Sequence, residues 1–160
     1  MVKDYYSLVG FNDCCLPWKS IWKQKIPSWV AFFLWTLALE KCLMIGNLYK
    51  RKVWIMDWCY MCKCNGESID HLFLHCPVTM NLWSMVLDLF GVSWVMPKLV
   101  VGLLACLQSQ FGRYRNSHIW IIVPHCLIWC FWRERNNRCF EDSKRSIHDL
   151  KLFFFRTFLY

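Results

Sequence analysis

The stretch from Cys59 to Cys76, CYMCKCNGESIDHLFLHC, constrains this chain more than any other. It carries Cys59, Cys62, His71 and Cys76 in the spacing C-x2-C-x8-H-x4-C. Three thiolates and one imidazole make a complete tetrahedral shell for Zn2+. A shell filled by the protein leaves no position open for water or substrate, so the stretch reads as a structural metal site. Asn65–Gly66 supplies a turn that can bring the knuckle back on itself. Two competing ligands lie nearby. His75 adjoins Cys76, so one ion could hardly take both, and Cys64 stands closer to Cys62 than a zinc knuckle normally allows.

Around this stretch the chain reads as helical. Trp18, Ile21 and Trp22 stand at i, i+3 and i+4, on a short helix that stops before Pro27. Pro27 is placed as the first residue of the next helix, roughly 27–40, with Val30, Phe33, Leu34, Leu37 and Ala38 on one face. That helix is apolar nearly all round and is expected to be central. Gly46 breaks the pattern, and Leu48 to Arg51 reads as a short turn that leaves Lys50, Arg51 and Lys52 in solvent. Ser68 caps a short helix bearing His71. Pro77 starts a helix that ends at Gly91, a natural C′ residue. Further helices are expected over 97–107, 117–139 and 146–159, and no strand pattern is convincing. The fold class is therefore mainly α: a small helical domain built around a Cys3His zinc knuckle, with additional C-terminal helices. The expected layout is an irregular lead-in over 1–17, the zinc domain over 18–91 and a C-terminal helical region over 92–160.

Composition narrows the functional classes. Of the 160 residues, 57% are apolar, with 11 Trp and 12 Phe, which excludes a disordered chain. Such a chain either buries most of itself or belongs to something larger that covers it. The uncharged run 116–132 is short for a membrane span and contains Pro124 and His125, so it reads as a buried core helix, with membrane association the weakest alternative. The 11 cysteines are an odd number, and the N-terminus lacks the pattern of a secretory signal. Reduced thiols in the nucleus or cytoplasm fit better than a secreted disulfide framework. Beyond the four ligands, Cys14, Cys15, Cys42, Cys64, Cys106, Cys126, Cys130 and Cys139 read as small buried hydrophobes.

The net charge of +8 suits an anionic partner as well as a solvated face. Basic residues interleaved with tryptophan form two clusters, Lys23 and Lys25 with Trp22 and Trp29, and Lys50, Arg51 and Lys52 with Trp54. Either could stack on and neutralise single-stranded nucleic acid. Catalytic residues are not assigned. Two-metal polymerase chemistry needs paired carboxylates, and the only adjacent acidic pair, Glu141–Asp142, lies in a charged segment.

The joint pattern resembles the zinc-binding domain that follows the reverse transcriptase in plant LINE-type (non-LTR) retrotransposons. The resemblance rests on Trp18, Ile21 and Trp22; on Pro27, Val30, Phe33 and Trp35; on Cys59 and Cys62; and on Glu67, Ser68, His71, Leu72, Phe73, Cys76 and Pro77, with Trp83 in the next helix. The later run Trp132–Phe140, WRERNNRCF, is similar to the segment downstream of that domain. The stretch MIGN, where the family often has Thr and Asp, departs from the pattern and leaves the local helix cap open. The resemblance implies a structural zinc site and an accessory role, helping a reverse transcriptase domain engage RNA or DNA. The alternative is a structural or protein-docking fragment of a decayed retroelement with no independent activity.

Overall fold

A computed structural model describes Ile21, residues 26–109 and residues 117–159. Its helices are α1 (Ser28–Ala38), α2 (Ile45–Lys50), α3 (Pro77–Leu89), α4 (Val100–Ser109), α5 (Ser117–Phe140) and α6 (Ile147–Leu159), with a π turn over His71–His75 before α3. No strand occurs among the described residues, so the mainly α expectation holds.

The centre of the molecule is α5, where α1 was expected. Helices α1, α3, α4 and α6 and the π turn all pack on α5. Val123, Leu127, Ile128, Cys130 and Phe131 are buried, and His125 is buried with them. Helix α5 continues through Pro124. Among the described residues no helix is long and apolar enough to cross a membrane. Helix α1 buries Val30, Phe33, Leu34, Leu37 and Ala38, the predicted face. Its outer face is also aromatic, which is why periodicity overstated its centrality: Trp29 and Phe32 remain exposed. Phe33 joins α1 to both neighbours, with its ring 5.2 Å from Trp132 and 6.3 Å from Phe73.

The helix ends follow local chemistry. Ser146 Oγ accepts the Asp149 amide at 3.1 Å at the start of α6. Gly91, at φ 63°, closes α3: its amide donates to the Asp88 carbonyl at 3.1 Å, and Val92 donates to Leu87 at 2.9 Å. This pair of reversed bonds needs a left-handed residue, which glycine adopts without steric cost. Pro27 caps α1 from outside, in extended conformation, and is not its first helical residue. Gly46 lies within α2, contrary to expectation. It sits in the first turn, where amides lack helical acceptors anyway, while Ile45 and Leu48 anchor the helix in the core. Met44 caps α2 without a side-chain hydrogen bond, as the MIGN departure suggests. Helix α4 starts at Val100, three residues after Pro97, because the Asp70 carboxylate accepts the Val100 amide at 2.8 Å. The predicted helix before Pro27 lies outside the described residues, except Ile21.

Candidate metal centre

The candidate metal site is built by two short backbone devices. In the first, the Cys59–Asn65 loop folds back on itself. The Lys63 amide donates to the Cys59 carbonyl at 2.7 Å, and the Cys59 amide donates to Asn65 at 2.6 Å. Lys63 takes a left-handed φ of 60° at the bend. In the second, Ser68 Oγ accepts the His71 amide at 3.1 Å, the predicted cap. The chain then winds as a π turn, and the Cys76 amide donates to the His71 carbonyl five residues back at 2.7 Å. In an α-helix, residues five apart project about 140° from one another. The wider π turn brings such residues closer to one side, which is what an H-x4-C pair needs to share an ion.

Pro77 ends that turn and leaves a vacancy in the hydrogen bonding. With no N–H, it cannot serve the carbonyl four residues back, that of Phe73. The buried Trp83 indole does so instead, donating from Nε1 at 2.8 Å. Trp83 is thus a structural residue that locks the turn carrying His71 against the helix that follows Cys76.

One ligand atom from each of Cys59, Cys62, His71 and Cys76 lies within 4.8 Å of all the others. The Cys59 and Cys76 sulfurs are 3.9 Å apart. Cys62 Sγ and His71 Nε2 are 3.4 Å apart. A zinc tetrahedron with Zn–S near 2.3 Å and Zn–N near 2.0 Å has S···S edges of about 3.8 Å and S···N edges of about 3.5 Å. The donor set and its spacing therefore fit a four-coordinate zinc shell.

Electrostatics set three of the donors apart. Without a metal, the Cys59 thiol donates to Cys76; that bond and burial hold the Cys59 proton strongly. The same bond draws the Cys76 thiol below its usual value, with help from the amides of Val78 and Thr79 at the start of α3. Burial, and then the neighbouring His75, draw the His71 imidazole below its usual value, which favours the neutral form a metal takes. The competing groups point elsewhere. His75 Nε2 lies 3.0 Å from the Lys98 carbonyl, and Cys64 Sγ donates to the Cys62 carbonyl at 3.1 Å.

The remaining cysteines divide. Cys42, Cys126 and Cys130 are buried as expected, whereas Cys64 is exposed, because the knuckle holds it on the outside of its bend. Cys106 and Cys139 are half-buried. Cys14 and Cys15 lie outside the described residues. Lys50, Arg51 and Lys52 are exposed at the end of α2, beside Trp54, which is 87% exposed. Lys23 and Lys25 lie outside the described residues. Glu141 and Asp142 are both exposed.

Sequence reasoning missed the charged clamp that holds the knuckle against α5. Arg135 is fully buried and grips Glu67, Nη2 to Oε1 at 2.6 Å and Nε to Oε2 at 3.1 Å. Its guanidinium also lies over the rings of Trp132 and Tyr60, at 5.4 and 5.7 Å. Arg138 Nη1 donates to the Met61 carbonyl inside the knuckle at 2.7 Å. Buried Glu134 holds Arg138 at 2.7 Å and Arg145 at 2.9 Å. The signal was present in WRERNNRCF: charged residues that follow directly on the apolar run of a core helix, where those that become buried demand partners.

Residues 1–83 match the family described as zinc-binding in reverse transcriptase. This chain belongs to that family. It is also similar to a putative ribonuclease H protein of Arabidopsis thaliana, 27% identical over 141 residues, or 87% of this chain and 21% of that protein. The chain thus spans about a fifth of that relative's length. No solved structure matches. The family assignment gives the motif residues physical roles. Cys59, Cys62, His71 and Cys76 converge, Ser68 caps, Phe33 and Phe73 pack together, and Glu67 takes Arg135 from the later WRERNNRCF run.

Proposed function

We propose that this chain is a non-catalytic accessory domain derived from a retrotransposon reverse transcriptase. It holds one structural Zn2+ on Cys59, Cys62, His71 and Cys76 and helps a polymerase domain engage RNA or DNA. The observation that carries this reading is the gathering of four protein donors within 4.8 Å. A zinc ion there has its shell filled and serves the fold rather than a reaction. The nucleic-acid part is supported by Lys50, Arg51 and Lys52, exposed beside Trp54. Such a patch offers cations for phosphates and a ring face for a base.

Purified protein is expected to contain one zinc per chain and to bind single-stranded oligonucleotides with strong salt dependence. Charge reversal at all three basic positions, K50E/R51E/K52E, should reduce the salt slope by about 2, since each phosphate contact on a single strand contributes roughly 0.7. Protein that is fully helical without metal would overturn the zinc assignment. Binding no tighter than that of a charge-matched control would overturn the nucleic-acid role.

A second reading, docking onto the polymerase, is favoured by the exposed aromatic side of α1, Trp29 and Phe32. Nucleic-acid-free capture of the matching reverse transcriptase domain, abolished in W29S/F32S, would support it over the first.

A further inference from the structure

A cavity of about 430 Å3 lies between the outside of the knuckle and the loop that follows α5. Its volume falls within the roughly 300–1,000 Å3 of small-ligand sites. Three aromatic residues line it, Trp58 and Tyr60 from the knuckle and Phe140 from the end of α5. Two lysines line it as well, Lys63 and Lys144, one from each side. Both lysines are exposed, and neither enters an ion pair among the described residues. Arg138 also borders the cavity, but its charge is already matched by Glu134. Asp142 contributes a carboxylate and Cys62 of the candidate metal site also lines the cavity, so Lys63 and Lys144 are the open cations of a mixed lining.

The walls of the cavity bring rings and a cation together. Both walls bend through left-handed, non-glycine residues, Lys63 at φ 60° and Asp142 at φ 49°. Each bend has a local role, Lys63 turning the knuckle back and Asp142 ending α5, and together they set the two walls facing each other. The Lys63 ammonium stands 5.8 Å from the Trp58 ring, while Phe140 presents a ring that is 54% exposed.

We propose that this cavity seats one nucleotide of a single-stranded RNA or DNA. The base packs among Trp58, Tyr60 and Phe140, and the flanking phosphates meet Lys63 and Lys144. Aromatic walls with cations at the opening form the combination that recognises an unpaired base with its backbone. A peptide would need backbone hydrogen-bonding edges, and an inorganic anion would not need the rings. The inference rests on the nucleic-acid reading above and adds a site to it, distinct from the patch at Lys50, Arg51 and Lys52. The strand would then be held partly by the knuckle's outer face and partly by the end of α5, joining two parts of the chain in one contact.

The test uses the full zinc-loaded chain and a fluorescent oligouridylate carrying a single 4-thiouridine. Light-induced adducts are expected on Trp58, Tyr60 or Phe140. The exposed reversals K63E/K144E should weaken binding about tenfold and reduce the salt slope. F140A should weaken it about fivefold at an unchanged slope, because a stacking contact releases no counterions. Zinc content and circular dichroism confirm folding of each variant, and the surface lysine reversals serve if F140A does not fold. Binding that K50E/R51E/K52E abolishes, but that K63E/K144E and F140A leave intact, with no adduct at these rings, would overturn the pocket while the broader reading stands. Absence of oligonucleotide binding by the wild-type chain at low salt would overturn both. Displacement by an oligoglutamate of equal charge as effective as by unlabelled oligouridylate would also sink the nucleotide assignment.

Discussion

Cys59 and Cys76 are 17 positions apart, and their sulfurs lie 3.9 Å from each other. Glu67 and Arg135 are 68 positions apart and meet at 2.6 Å with neither side chain exposed. The two places solve one problem, polar groups inside a small apolar domain, by different means. In the knuckle the donors are close in sequence and are suited to an ion that supplies the missing charge. Along α5 the protein carries both signs itself and must bring them together through tertiary packing. With a metal bound, the first arrangement would derive its stability from a removable ligand. The second costs desolvation of both charges and is worth most as a specifier of how the C-terminal helices meet the knuckle.

Four perturbations would break or sharpen that contrast. The largest effect is expected on metal removal. Structural zinc contributes on the order of 10 kcal/mol to folding in small domains. A strong chelator, or Cys76→Ser, should abolish amide protection over 59–76, and hydrogen exchange read segment by segment would show it. Retention of protection there, with metal gone, would mean that the clamp alone holds the knuckle.

Next comes Arg135→Met. Orphaning Glu67 in the core should cost about 3–5 kcal/mol, because a buried charge then lacks its partner. The double variant E67Q/R135M should recover much of that loss. Chemical denaturation with zinc saturating is the measurement, and equal losses in single and double variants would show that the pair is not coupled.

The buried thiols give a pH test of the α5 side. Desolvation pushes Cys42 and Cys130 up to about 12 and Cys126 up to about 11, from an ordinary value of 9.0. Because the folded state raises these values, the thiols' stabilisation is complete below about pH 9 and is lost as pH rises towards 11–12. Alkaline unfolding followed by near-UV circular dichroism should therefore shift to higher pH in the C126A/C130A variant. At pH 8 these thiols should resist alkylation while exposed Cys64 reacts; equal labelling would argue against their burial.

The smallest effect is expected at the cap. Ser68→Ala removes the acceptor for the His71 amide and should cost about 1 kcal/mol. If the π turn is set by zinc more than by its cap, the loss should shrink when metal is saturating. A thermal melt with and without chelator separates the two.

Much of the site was legible because its determinants are local. The choice of four donors, the Ser68 cap, the Pro77 start and the Gly91 stop each depend on a few neighbouring residues; the four donors converge, and the cap, start and stop are found where the spacing placed them. Local pattern failed where geometry or partners decided. An apolar periodicity on α1 could not distinguish a helix at the centre from one whose outer aromatics stay exposed. The turn at His71 could be read as helical, but its π winding depends on closing His71 and Cys76 around one point, a three-dimensional requirement.

From its residues alone this protein was committed to helices, to a Cys3His donor set and to its family. Tertiary structure alone decided that α5 is the hub, that Arg135 grips Glu67, and that Trp58, Tyr60 and Phe140 face one cavity. The reason is range. A cap or a ligand spacing acts over a turn or two of chain, so its meaning is written beside it. A buried charge or a cavity wall has no meaning until packing supplies its counterpart from a distant segment.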